Sequence, residues 1–156
     1  MNKRIWVAVL VTASYAAAQA DLAAATVGGY VGQVSSLVFE TRTELAPAVT
    51  GARRAEVCQF TPKKVQALLD RGTELVNQRR GAYAASGTPQ NASLYLAATQ
   101  ARGALLSIQE GVNAACVHSK EPLAPSVLSL SLKVAQLEVE QAHAELTRAA
   151  AALGRR

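Results

Sequence analysis

The sequence predicts an all-α protein, a three- to four-helix bundle in which two antiparallel helices form a hairpin closed by a disulfide bond. Three features of the 156 residues predict this fold. Apolar residues recur at steps of three and four through most of the chain, as on one face of a helix. Prolines and glycines divide these stretches into separate segments. The two cysteines, Cys58 and Cys116, stand where such a hairpin would bring them to one end.

Residues 1–20 have the pattern of a secretory signal peptide. Lys3 and Arg4 precede an uncharged apolar run, and an Ala-Gln-Ala triplet ending at Ala20 fits the cleavage pattern. The alternative is an uncleaved membrane anchor, but a spanning helix needs about 20 apolar residues, and this run holds about 14 before Asp21. We therefore expect cleavage after Ala20 and a periplasmic or secreted chain that does not span the membrane.

Residues 21–156 are expected to form a single helical domain, since their length suits one hydrophobic core. Removal of Lys3 and Arg4 lowers the formal net charge from +5 to +3. The basic residues are scattered singly or in pairs and are not interleaved with aromatic residues. The pattern typical of nucleic-acid binding is therefore absent from the sequence, and no nucleic-acid partner is expected.

The first helix is predicted within residues 21–45, with an apolar face interrupted by three glycines. Each glycine costs up to about 1 kcal/mol in a helix interior, so we expect firm helix over residues 34–45 and flexibility before it. Pro47 should end or kink the helix, and residues 46–59 should form a connection. The apolar face consists of Val27, Tyr30, Val31, Val34, Leu37, Val38 and Leu45.

The second helix is predicted over residues 61–80. Thr61 suits the N-cap and Pro62 the first helical position, where its missing N–H has no partner to lose. The glycines and the proline of residues 81–91 predict a turn that reverses the chain. The apolar stripe of this helix consists of Val65, Leu68, Leu69, Leu75 and Val76.

A third helix is predicted over residues 91–116 and a fourth over residues 126–153, the latter capped by Ser126 after a proline-containing break. The face of the third helix consists of Leu94, Ala98, Ala101, Leu105, Ile108, Val112 and Ala115. The fourth carries heptad seams at the lower limit of a coiled coil. Because these seams are wider than one neighbour would cover, they predict an interaction surface for a protein partner or a second copy. It consists of Leu128, Leu130, Leu132, Leu137, Val139, Leu146 and Leu153.

The two cysteines are predicted to form a disulfide within one chain. If the second and third helices are antiparallel, Cys58 and Cys116 lie at the same end, and thiols pair in an oxidising compartment. Catalytic thiol chemistry is disfavoured because the chain has no Cys-x-x-Cys motif. A metal site of both cysteines and His118 is a weaker alternative, since a structural zinc site needs four ligands.

The sequence presents no other strong chemical site. Glu140 and His143 have the Glu-x-x-His spacing of di-iron bundles, but the further ligands that such a site requires are missing. There is no haem-attachment motif, no nucleophile elbow and no phosphate-binding glycine loop. We therefore expect no cofactor and no enzymatic activity.

These observations favour a helical accessory or adaptor protein of a cell-envelope assembly, for example a secretion or conjugation apparatus, acting through protein–protein contact. One alternative is a periplasmic domain that binds a small molecule or a metal in the bundle interior. Another is a holdase-type chaperone that exposes the glycine-interrupted residues 21–45.

Overall fold

A computed structural model describes residues 3–45, 54–118, 120–121 and 123–153, with side-chain surroundings from Ala18 onward except at Leu45 and Val57. These residues form four α-helices and no strand. The helices are α1 (Lys3–Glu40), α2 (Arg54–Ser86), α3 (Pro89–Cys116) and α4 (Ala124–Leu153). A π-helical segment, Thr41–Leu45, continues α1. The predictions of an all-α chain and of a Cys58–Cys116 disulfide are confirmed.

The first helix is continuous over 38 residues and runs through the predicted cleavage site. The predicted restriction of firm helix to residues 34–45 is wrong, because Gly28, Gly29 and Gly32 all lie inside the helix. Burial of the apolar face outweighs their low helix propensity, because tertiary packing supplies most helical stability in proteins. The flexibility expected before residue 34 stays a prediction. Pro47 and residues 46–53 of the predicted connection lie outside the described residues. The buried face consists of Val27, Tyr30, Val31, Val34, Leu37 and Val38.

The second helix begins at Arg54, so the predicted start at Thr61 is wrong and Pro62 lies inside the helix. Pro62 has no N–H to offer to the carbonyl of Cys58, which normally makes a proline break a helix. Two tertiary links hold the turn before it. Cys58 is bonded to Cys116, and Arg54 Nη2 donates to the carbonyl of Cys116 at 3.4 Å.

The same helix continues through Gly81 and ends at Ser86. The prediction of a long turn over residues 81–91 is therefore wrong. The chain leaves the helix at Gly87, whose φ of 61° is the left-handed conformation that glycine adopts most easily. The N–H of Gly87 donates to the carbonyl of Tyr83 at 2.7 Å, which closes the last turn.

The third helix starts directly after this glycine. Thr88 is its N-cap, with Oγ1 accepting from the N–H of Asn91, and Pro89 occupies the first position. The third helix thus begins at Pro89, two residues before the predicted start at residue 91, and only two residues connect α2 to α3.

The third helix also forms the centre of the molecule and contacts the other three helices. All residues of its predicted face are buried. It lies closest to α4, where small residues permit the approach: a Cβ at Gly111 would be 3.1 Å from Leu128 Cδ1 and 3.2 Å from Ser131 Cβ. Ala135, Ala142 and Ala149 are buried on the α4 side, as expected for closely packed helices.

The fourth helix begins at Ala124, two residues before the predicted cap Ser126. Pro125 falls in its first turn, where the backbone N–H of any residue lacks a helical partner. The sequence predicted that Pro122 and Pro125 would both lie in a break before this helix. Pro125 instead lies inside the helix, so the helix begins earlier than predicted.

One tyrosine connects α1 to α2. Tyr30 is fully buried, and its hydroxyl donates to the carbonyl of Leu68 at 3.3 Å. A Cβ at Gly72, one turn further along α2, would lie 1.9 Å from that hydroxyl oxygen. Position 72 therefore requires glycine if Tyr30 is to keep this place.

By length and composition alone, the described residues include one stretch that could cross a membrane, Ala18–Glu44. This stretch contains the α1 residues that are buried in the core, from Val27 to Val38. A buried core helix and a signal sequence near the N-terminus both have these properties.

Candidate interaction surface

A stripe of aliphatic side chains lies on the outer face of α4. Leu130, Val134 and Leu137 are 64%, 39% and 58% exposed. Their spacing of four and three residues places them on one side of the helix. Exposed Leu123 and half-buried Val127 extend the same line toward the start of the helix. We call these five residues the outer stripe.

The predicted interaction surface on α4 is divided between two faces. Leu128, Leu132 and Val139 are buried in the core, Leu146 packs against it, and Leu153 is partly buried. Leu130 and Leu137 are exposed. Each residue turns the helix by about 100°, so a leucine two positions from a core residue points away from the core. The exposed part of the predicted surface is therefore narrower than expected.

The sequence-based prediction missed Leu123, Val127 and Val134 as members of this stripe. The signal was present in the chain, because Val127, Leu130, Val134 and Leu137 follow a three–four–three spacing. It was masked by the longer core seam running beside it. An apolar pattern covering more than one side of a helix does not say which side faces the core.

A groove between the end of α3 and the start of α4 widens this surface. Its volume is about 420 Å³, and Leu106, Ala114, Leu123 and Val127 form its apolar part. Glu110 and Glu121 also line it, so a carboxylate is contributed from each side. The groove therefore combines exposed aliphatic side chains with an acidic edge.

The potential metal ligands named from the sequence do not come together. The sulfur of Cys116 is bonded to Cys58, and His118 Nδ1 lies 3.2 Å from Glu121 Oε1. Glu140 and His143 are one helical turn apart on α4.

Glu140 and His143 line a separate groove against α1, about 290 Å³ in volume, together with Phe39 and Arg42. Among the residues with described side chains, no three of the types His, Cys, Asp and Glu are placed to hold a metal ion.

The carboxyl group of Glu138 lies in the α3–α4 contact and is partly buried. Ser107 Oγ donates to Glu138 Oε2 at 3.1 Å, and a Cβ at Gly103 would be 2.6 Å from Oε1. Burial raises the pKa of Glu138 above its ordinary value, and the hydrogen bond from Ser107 partly opposes this effect. The carboxyl group thus occupies space that exists because residue 103 has no side chain.

The disulfide lies at the opposite end of α2 and α3 from their two-residue connection. The Cα atoms of Cys58 and Cys116 are 5.5 Å apart, within the usual range for a disulfide. The cysteines are separated by 58 positions in the sequence, so the bond closes a long loop. With both sulfurs bonded, neither is a nucleophile or a thiolate ligand.

Compared with family models, with curated protein sequences and with solved structures, the chain matches none.

Proposed function

We propose that this chain is an exported helical accessory protein of a cell-envelope assembly, such as a secretion or conjugation apparatus, and that it acts by binding another protein. The observation that carries the proposal is the outer stripe of α4. Exposed aliphatic side chains in one line, beside a groove with an acidic edge, are typical of a surface that receives an amphipathic helix.

The proposal includes a defined scaffold, a four-helix bundle in which α2 and α3 form an antiparallel hairpin closed by the disulfide. The two-residue connection at Gly87 and Thr88 supports it, because so short a link favours antiparallel neighbours. The bond between Cys58 and Cys116 supports it as well, since it joins the ends remote from that connection. Such a scaffold would hold α4 rigidly from the side of α3.

Export to the periplasm or beyond is part of the same proposal. The apolar start of α1 suits a signal peptide, and a structural disulfide suits an oxidising compartment. If cleavage follows Ala20, the core residues of α1 from Val27 onward remain in the mature chain. Mass spectrometry of the exported protein should find Asp21 at its N-terminus; material that keeps Met1 would contradict cleavage.

The partner we expect is a helix with an apolar stripe and basic residues at one end. The aliphatic side chains of Leu130 and Leu137 would cover that stripe, and Glu110 and Glu121 would face the basic end. The alternative partner for this surface is a second copy of this chain. The charge of the groove favours the basic helix because two carboxylates, those of Glu110 and Glu121, line it.

The test uses exposed leucines that differ only in position. A photo-crosslinking amino acid replaces Leu130 in the full chain, and in a control it replaces Leu96, which is 42% exposed on α3. Crosslinking in cells of the source organism should yield a discrete product from position 130 and none from position 96. Sedimentation velocity of the purified chain then distinguishes a second copy from a different partner.

The double variant Leu130→Gln, Leu137→Gln should remove the interaction without disturbing the fold, because exposed positions usually change stability by less than about 0.5 kcal/mol. Leu96→Gln is its matched control. A chain that is strictly monomeric and gives no product from position 130 would contradict the proposed function. So would equal products from both positions.

The metal-binding alternative has less support. Cys58 and Cys116 have no free thiolate while they are bonded to each other, and His118 is beside Glu121, so the five potential ligands named from the sequence do not form a set. Metal analysis of the purified, oxidised protein tests it directly. Stoichiometric zinc, copper or iron would favour the alternative.

A further inference from the structure

The start of α2 is separated from the rest of that helix by a proline. Pro62 lies inside α2 and offers no N–H to the carbonyl of Cys58, so one hydrogen bond of the helix is missing there. Its ring also disfavours the helical conformation at the preceding residue, Thr61. By its local sequence, a helix would begin with Pro62 in its first position. We call residues 54–60, which precede Thr61 and Pro62 in α2, the latch segment.

The latch segment has little buried surface to stabilise it as a helix. Among its described side chains none is fully buried, and Phe60 is 52% exposed. Cys58 packs against the core as a half-buried side chain. After the proline, by contrast, Val65 and Leu69 are buried in the core. Because tertiary packing supplies most helical stability in proteins, α2 is better stabilised after Pro62 than before it.

Links to the last residue of α3 hold the latch segment in place. The sulfur of Cys58 is bonded to that of Cys116, and Arg54 Nη2 donates to the carbonyl of Cys116. The hydrogen bond is long, at 3.4 Å, whereas the disulfide is covalent and joins the two helices even when hydrogen bonds open. The disulfide is therefore the stronger of these links.

The rest of the bundle does not need the latch segment for its core. Of the described residues that form the fully buried core cluster, none comes from residues 54–60. At their other ends, α2 and α3 are joined by two residues, Gly87 and Thr88. A bundle that loses the helix of the latch segment therefore keeps its core and the connection between α2 and α3.

We propose that the latch segment is a redox-sensitive switch: it is helical while the Cys58–Cys116 bond is intact, and it unwinds as far as Pro62 when the bond is reduced. The reductant is a dithiol, and neither cysteine is fully buried. One thiolate of the dithiol attacks a sulfur of the bond and releases the other cysteine. Its second thiolate then releases the first cysteine, so the dithiol is oxidised to a disulfide and its two protons end on Cys58 and Cys116.

Oxidation reverses these steps. A protein disulfide that accepts two electrons from the two cysteine thiols joins them again, becomes a dithiol itself and restores the latch segment to α2. The first residues of α2 are then the last part of that helix to form. This inference is independent of the proposed partner, because it concerns the start of α2 and not the outer stripe of α4.

The experiment measures Cα chemical shifts, which report helix residue by residue, in the full chain labelled with ¹³C and ¹⁵N. Spectra are recorded for the oxidised chain and after reduction with dithiothreitol, itself a dithiol. Reduction should abolish the helical shifts of residues 54–60 and preserve those of residues 63–86 and 89–112. The double variant Cys58→Ser, Cys116→Ser should show the same loss without reductant.

Prolines in two helices supply a matched pair of variants. Pro62→Ala restores an N–H for the carbonyl of Cys58 and removes the ring that disfavours helix at Thr61. In its reduced form, the latch segment should therefore keep helical shifts that the reduced native chain loses. Pro89→Ala is the control, because Pro89 occupies the first position of α3, where no helical hydrogen bond is missing. The reduced control should lose the helix of the latch segment as the native chain does.

The proposal is overturned if the latch segment keeps its helical shifts in the reduced native chain. It is also overturned if residues 63–86 lose theirs together with the segment, since the bond would then support all of α2. Equal loss in reduced Pro62→Ala and in the reduced native chain would show that the proline does not set the limit of unwinding, which contradicts the proposal as well.

Discussion

The hydroxyl of Tyr30 occupies the space that a side chain at position 72 would need. A Cβ at Gly72 would lie 1.9 Å from the hydroxyl oxygen and 2.7 Å from Cζ of the ring. Because Tyr30 is fully buried and bonded to the carbonyl of Leu68, it cannot swing into solvent without leaving the core. Tyr30 and Gly72 therefore fix how closely α1 approaches α2.

Gly72→Ala should lower the free energy of unfolding by about 1–3 kcal/mol, the usual range for overpacking a core. The measurement is urea unfolding of the oxidised chain. Gly81→Ala is the control in the same helix, since a Cβ there meets nothing within 4 Å. Gly81→Ala should raise the free energy of unfolding by up to about 1 kcal/mol, because alanine has a higher helix propensity than glycine. Equal stabilisation by both alanines would contradict the Tyr30–Gly72 packing.

Tyr30 should also ionise at unusually high pH. Burial raises its pKa to about 12, although Arg102 and Arg71 favour the phenolate. The folded state thus keeps the proton that the unfolded chain loses near pH 10. The contribution of Tyr30 to stability is then fully present below about pH 10 and is lost as the pH rises toward 12.

Absorbance titration of the phenolate measures this directly. Subtracting the titration of Tyr30→Phe from that of the native chain should isolate a single tyrosine with a midpoint near pH 12. Between about pH 10 and 11, the free energy of unfolding of Tyr30→Phe should also fall less steeply with pH than that of the native chain. A difference curve with its midpoint at the ordinary value of about 10 would contradict the burial of Tyr30.

The faces of the helices could be predicted from the sequence more accurately than their ends. Val27 and Val34 in α1, like Leu105 and Ile108 in α3, follow the helical spacing and are buried. This spacing reflects burial, and whether a side chain is apolar enough to be buried can be read directly from the sequence. The disulfide was predictable for a related reason, because only two cysteines had to be paired.

The ends of α2 were missed because contacts distant in sequence set them. The turn before Pro62 is held by bonds from Cys58 and Arg54 to Cys116. At the other end, Gly81 and Gly87 look alike in the sequence, but only Gly87 has a positive φ. The local sequence gives no reason to prefer one glycine as the end of the helix.

The candidate surfaces were predicted only in part. Leu130 and Leu137 were identified, but together with core residues such as Leu132.

The disulfide should contribute a large share of the stability of this chain. It closes a loop of 58 positions, for which the chain-entropy model gives about 4 kcal/mol as an upper figure. The double variant Cys58→Ser, Cys116→Ser should lose up to that amount in urea unfolding. Native protein under reducing conditions should unfold at the same urea concentration as the variant. A native chain that is indifferent to reductant would contradict a structural role for the bond.

Glu138 should make the chain less stable at neutral pH than at acid pH. Burial between α3 and α4 raises its pKa, so the folded state binds a proton that the unfolded state releases. Stability attributable to this group is therefore present below the ordinary glutamate pKa of about 4.3 and is lost as the pH rises through the higher folded value.

Glu138→Gln keeps the shape of the side chain and an acceptor for Ser107, and it removes the partly buried charge. The variant should exceed the native chain in stability at pH 7, and the difference should disappear near pH 4. Glu140→Gln is the matched control on the exposed side of α4, where the Glu140 carboxylate accepts from Gln136 Nε2. It should show no such pH-dependent gain. If Glu138→Gln is instead less stable than the native chain at pH 7, the α3–α4 contact stabilises the ionised carboxylate. The pKa of Glu138 would then be lowered, which would contradict this prediction.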